Sequence, residues 1–134
     1  MENITISEEL LEIFNEETKN LIDEMKQDMS ILGQETQAID QTSVLKRLFR
    51  CAHITKSSSR SVGLDNLEQI SGALERIFKK AGDADTVIEG DTISLLCESV
   101  EACQKLLSGE EVAAHKELTD RLGSVLKSCE GQAI

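Results

Sequence analysis

His53 is one of two histidines in a chain of 134 residues, and the stretch around it, CAHITKSSSRS from Cys51 to Ser61, holds lysine and arginine but no acid. A neutral imidazole is nucleophilic near pH 7, and a cation close by stabilises an incoming anion, so a histidine in a local positive field can accept a phosphoryl group. At about 100° per residue on a helical wheel with Leu45 at zero, His53 falls at roughly 80°, between Lys56 at roughly 20° and Arg60 at roughly 60° on one side and Lys46 at roughly 100°, Ser57 at roughly 120° and Arg50 at roughly 140° on the other. The apolar stripe of Val44, Leu45, Leu48 and Ala52 centres elsewhere, so His53 is expected to project from the surface. From Gln41 to Leu64 there are five basic residues, Lys46, Arg47, Arg50, Lys56 and Arg60, and no acid, a local charge of +5 inside a chain of net charge -11. The small residues Ser57, Ser58 and Ser59 leave room for another protein to approach. One helix alone does not separate a nucleophile from a solvated basic face carrying an incidental histidine.

The other reactive side chains point to less. Cys51, Cys97, Cys103 and Cys129 show no zinc-ligand spacing and are read as reduced core residues of a cytosolic protein. Cys51 and His53 lie about 200° apart on their helix and cannot share a metal. GDADTVIEGD, from Gly82 to Asp91, fails as a calcium loop because Val87 and Ile88 stand where a ligand and a glycine are needed. His115, between Ala114 and Lys116, is read as a structural or surface residue. No metal or cofactor is expected. The net acidity argues against nucleic acid as the main partner, and no apolar run approaches the roughly 20 residues a membrane span requires. The polar, acidic start after Met1 suits a protein without a signal segment, soluble and cytoplasmic.

Positioning these residues requires long helices. The chain has no proline, three aromatics (Phe14, Phe49, Phe78) and much Leu, Ile, Glu, Lys and Ala. Apolar spacing predicts five helices within a single domain, 1–134. The first runs over 7–32 and buries Leu10, Leu11, Phe14, Leu21, Ile22, Met25, Met29 and Leu32. The second, 42–61, buries Val44, Leu45, Leu48, Phe49 and Ala52. The third, 65–81, opens with Asp65 and Glu68 as a reciprocal cap and buries Leu67, Ile70, Leu74, Ile77 and Phe78. The fourth, 91–107, is capped by Asp91 or Thr92 and buries Ile93, Leu96, Cys97, Val100, Leu106 and Leu107. The fifth, 109–129, is capped by Ser108 with Glu111 and buries Val112, Leu118, Leu122, Val125 and Leu126. Short connections predict an all-α fold, an antiparallel four-helix bundle with a fifth C-terminal helix.

LFRCAHITKSSSRSVGLDNL, Leu48 to Leu67, resembles the phosphorylation helix of histidine-containing phosphotransfer (HPt) domains, especially the N-terminal phosphotransfer domain of CheA-type chemotaxis kinases. That family's pattern is H-x-x-K-G followed by a glycine several residues on, and His53, Lys56 and Gly63 match it. The resemblance extends to Phe14, Glu17 and Ile22 in the first helix and to ALE, Ala73 to Glu75, in the third. It implies that His53 carries a phosphoryl group on its outer ring nitrogen. It implies also that Glu75 accepts a hydrogen bond from the other nitrogen and that Lys56 stabilises the phosphate. Without the resemblance, Glu75 and Lys56 read as ordinary solvated helix residues. Two positions depart from the pattern. Ser57 stands where the family usually has glycine after the lysine. Gly72 stands where CheA-type domains often have a second histidine, three residues before the glutamate. A glycine there costs a helix up to about 1 kcal/mol relative to alanine, so it is read alternatively as a close helix contact.

The function so implied is a phosphocarrier of a two-component or chemotaxis phosphorelay. A histidine kinase catalytic domain, in cis or in trans, would load His53, and an aspartate in a response regulator receiver domain would unload it. Lys46, Arg50, Ser57 and Arg60 would meet these partners. The chain has no glycine-rich phosphate loop or Mg²⁺-ligand motif, so it is expected not to be an enzyme; a longer parent chain would be a histidine kinase. A start at Met1 with this motif suits the front of such a kinase, and the isolated domain is expected to be monomeric. The alternative is a non-catalytic helical docking module that binds an acidic protein through its basic strip.

Overall fold

The computed structural model describes residues 7–34, 38–84 and 87–131, with the side chains of 38–40 and 129–131 left aside. Five helices follow one another: α1 (Glu8–Gln34), α2 (Ala38–Val62), α3 (Asp65–Asp83), α4 (Gly90–Leu107) and α5 (His115–Gly131). α1 packs on α2 and α4, and α3 packs on α2 and α4, which closes a four-helix ring; α5 lies outside it against α3 and α4. The expected all-α bundle with a fifth C-terminal helix is therefore the fold.

The apolar period explains the arrangement. On α3 the predicted stripe Leu67, Ile70, Leu74, Ile77 and Phe78 is buried throughout, and Ser71, Gly72 and Ala73 are buried beside it. A helix buried on so wide a face must be covered from several sides, and α3 touches three other helices, α2, α4 and α5. Its contact with α2 is the most extensive in the molecule. Small residues make that contact close: Thr55 and Ser59 of α2 are fully buried. Their hydroxyls donate to the carbonyls of Cys51 (2.8 Å) and Thr55 (2.6 Å), one turn back, so neither hydroxyl is left unpaired. Ser59 is thus part of the helix seam, not of an open approach as the sequence suggested; Ser57 is exposed.

Several predicted ends move for local reasons. α5 begins at His115, not at 109, because the preceding residues close α4: Gly109 adopts φ 84°, its N–H reaches the Leu106 carbonyl, and the Glu110 N–H reaches that of Lys105. Ser108 bonds back to the Gln104 carbonyl instead of capping α5. Neither α3 nor α4 has a side-chain cap; the N-cap positions are Leu64 and Glu89, so Asp65 and Asp91 sit inside the first turns.

Three expected core residues face solvent. Leu10 is 58% exposed, Leu11 is also exposed, and Cys97 turns outward on α4 while Cys103 is buried. For α1 the cause is overhang. Arg47 pairs with Asp28 and Cys51 with Glu24; counting onward residue for residue, the end of α2 at Val62 falls level with Ile13, so the turns before it run past the end of α2. Phe49, also expected inside, is half-buried at the edge of the core, and Cys129 falls among the side chains left aside.

Candidate functional site

α2 and α3 bring together the residues that matter. His53 projects from α2 with 53% of its side chain exposed, and its Nδ1 meets Oε2 of Glu75 on α3. A carboxylate can only accept, so Nδ1 carries the proton, and in the neutral ring Nε2 keeps the lone pair. The other Glu75 oxygen, Oε1, takes the Lys56 ammonium at 2.6 Å. Glu75 is buried, not the solvated residue that helix position alone allowed. Burial is the largest single influence on its carboxyl and would raise its pKa, but the hydrogen bonds from Lys56 and then His53, with their charges, outweigh it and hold the group below the usual glutamate range. It is a fixed anion behind the ring.

The lysine reaches this position across α3. Its side chain is 25% exposed, and a Cβ built on Gly72 would lie 3.3 Å from Lys56 Cδ. The reading of Gly72 as a close helix contact is the one the geometry supports. On the other side, Phe49 stacks on His53 with ring centroids 6.0 Å apart and planes 18° from parallel. Phe49 and His53 are four residues apart, one helical turn, so the spacing could have revealed this pair.

The basic strip is less free than the sequence implied. Arg47 turns away to α1, where its Nη2 lies 3.0 Å from buried Asp28. Arg60 bonds Glu68 at 2.6 Å, which also explains why Glu68 does not cap α3. Lys46 and Arg50 are exposed and make no ion pair among the described residues, so they and Ser57 are the free groups flanking His53. His115 is half-buried, its Nε2 2.9 Å from Gln69 Oε1, and so ties α5 to α3. Among the described residues no three metal-ligating side chains converge, and no helix is long and apolar enough to cross a membrane.

Comparison with known proteins sets this geometry in context. A family model described as "Hpt domain" matches residues 9–128. The chemotaxis protein CheA of Borreliella burgdorferi is 29% identical over 102 residues, which are 76% of this chain but 12% of that protein, so the chain spans a small part of that relative's length. Among solved structures, the phosphorylated P1 domain of CheA3 from R. sphaeroides, in complex with CheY6, superposes with a TM-score of 0.76 at 21% identity, covering 92% of this chain and 99% of that one.

Proposed function

The chain belongs to the Hpt domain family, and from that membership we propose that residues 1–134 form one phosphocarrier domain with His53 as the phosphoacceptor. The observation that carries the proposal is the contact of His53 Nδ1 with the buried Glu75 carboxylate, which leaves Nε2 as the exposed nucleophile. Nε2 attacks the γ-phosphorus of ATP held by a kinase domain; the N–P bond forms, the bond to the bridging oxygen breaks, and ADP leaves. Because Nδ1 keeps its proton, the phosphorylated ring is cationic, and the Glu75 carboxylate offsets that charge. In the second step an aspartate oxygen of a receiver domain attacks the phosphorus and the ring departs as neutral imidazole, the form in which it began. Lys56 holds Glu75 and adds positive charge where the phosphoryl group arrives, and Lys46, Arg50, Ser57 and Arg60 border the face that a kinase or receiver meets.

The relatives support these partners. One is a chemotaxis CheA protein and another a CheA3 P1 domain caught with CheY6. The ATP-binding kinase domain lies elsewhere, in cis in a longer chain or in trans, and the relay operates in the cytoplasm. Lys46 and Arg50, exposed and in no ion pair among the described residues, also fit a docking module that binds an acidic protein without chemistry. Intact mass after incubation with ATP and a CheA-type catalytic core, for wild type and His53→Gln, separates the two. The carrier gains one acid-labile phosphoryl group that the substitution abolishes. No label from several kinase cores, with the fold intact, would leave the docking module.

A further inference from the structure

Gly72 is the residue of this site that costs the helix something and has no side chain to offer in return. It is buried in α3, one turn before Glu75. A Cβ there would lie 3.3 Å from Lys56 Cδ and 3.7 Å from Cγ, so the lysine stem runs against the space that a side chain at position 72 would fill. Its ammonium then arrives 2.6 Å from Glu75 Oε1. We infer that Gly72 is a positioning residue for the reaction: its missing side chain is the seat of the Lys56 stem, and that seat fixes Glu75 with Oε1 on the lysine and Oε2 on His53. The part of this inference that concerns phosphotransfer rests on His53 being the phosphoacceptor.

The chemistry follows from which groups share the carboxylate. With both oxygens engaged, Glu75 has one orientation, and the imidazole that donates to it has one tautomer. A methyl group at position 72 pushes the stem outward by a few tenths of an ångström, and the ammonium at its end shifts off Oε1. The lysine's hydrogen bond is the first of the influences that oppose burial at Glu75. Losing it lets the carboxyl take up a proton at higher pH and frees it to turn away from the ring. A carboxyl that is protonated or turned no longer holds the proton on Nδ1, and Nε2 is the nucleophile for a smaller share of the time.

The test is a double-mutant cycle of Gly72→Ala and Lys56→Met, the methionine keeping an unbranched stem without its charge. Two quantities are read: the pH midpoint of the Glu75 carboxyl by ¹³C NMR, and the initial rate of phosphorylation by a CheA-type catalytic core. The expected result is a raised midpoint and a rate roughly three- to tenfold lower in each single variant, with little further change in the double variant. Gly72→Ala should meanwhile unfold at the same or a higher urea concentration, because alanine is the better helix former. A rate that falls while stability holds or rises is not the signature of a merely structural glycine. A wild-type Glu75 midpoint in Gly72→Ala would overturn the inference, and so would an alanine effect as large in the Lys56→Met background as in wild type. The NMR titration needs no phosphoryl donor. A wild type that never labels would therefore refute the phosphoacceptor reading while the positioning of Glu75 is still decided by its midpoint. If Gly72→Ala did not fold, an unchanged midpoint in Lys56→Met alone would overturn the inference by showing that the lysine does not govern Glu75.

Discussion

His53 Nδ1 rests against Oε2 of Glu75, twenty-two positions later in the chain and on the facing helix. The two side chains differ in setting: the ring is half exposed and the carboxylate buried. That asymmetry suits a carrier, since the reactive nitrogen must meet large partners while the group that selects its tautomer must stay fixed and dry.

Glu75→Gln removes the charge while keeping an oxygen acceptor and the size of the side chain. Carboxylates that orient a metal-bound histidine from behind typically contribute ten- to a hundredfold, and Glu75 holds His53 in the same way. Phosphorylation by a kinase core should therefore slow by roughly that factor, with helical content by circular dichroism unchanged. A rate equal to wild type would show that the carboxylate does not set the nucleophile.

The same carboxylate should make stability depend on pH. Its folded-state pKa lies below its unfolded value, so its contribution is fully present above about pH 4.3, the ordinary glutamate value, and is lost as pH falls through the lower folded value. Urea unfolding of wild type and Glu75→Gln from pH 7 down to pH 3 should show a constant difference at the neutral end. That difference should shrink only on the acid side of about pH 4.3.

Gly63 ends α2 at φ 77°, with its N–H on the Arg60 carbonyl and the following Leu64 N–H on that of Ser59. A Cβ there would touch nothing within 4 Å, so the penalty for alanine is conformational, not steric crowding. Gly63→Ala should cost about 1 kcal/mol by denaturant unfolding. Gly90→Ala, at a helical position equally open, should be neutral or stabilising.

The thiols should react in a fixed order. Burial, followed by the hydrogen bond to Glu24, pushes Cys51 up to about 12, and burial alone pushes Cys103 to about 12. Cys97 is exposed, although partial burial of its sulfur and then Glu101 raise it as well. With an alkylating reagent at pH 8, peptide mapping should find Cys97 modified well before Cys51 and Cys103, which should react only after unfolding.

Much of this molecule could be read from spacing, because amphipathic period is a property of one helix at a time. The α3 stripe from Leu67 to Phe78 is buried as the period requires, and the wheel that put His53 on the open side of α2 did so without knowledge of any neighbour. Motif resemblance then singled out Lys56, Gly63 and Glu75. What spacing could not supply is the destination of a long side chain. Nothing in the spacing told apart the partners of Arg47, Lys56 and Arg60, yet one reaches Asp28 on α1, one crosses Gly72 to Glu75, and one takes Glu68 away from its expected cap.

The same limit explains Leu10 and Leu11, which carry the right period but stand beyond the end of α2. Sequence alone determined which residues form helices and which face of each is apolar, because those follow from backbone geometry and the hydrophobic effect acting locally. Only the packed bundle decided where each helix ends against its neighbour, and so which cation is spent on structure and which stands beside the histidine: an ion pair forms across a few ångströms, and that distance exists only once α2 and α3 have been brought together.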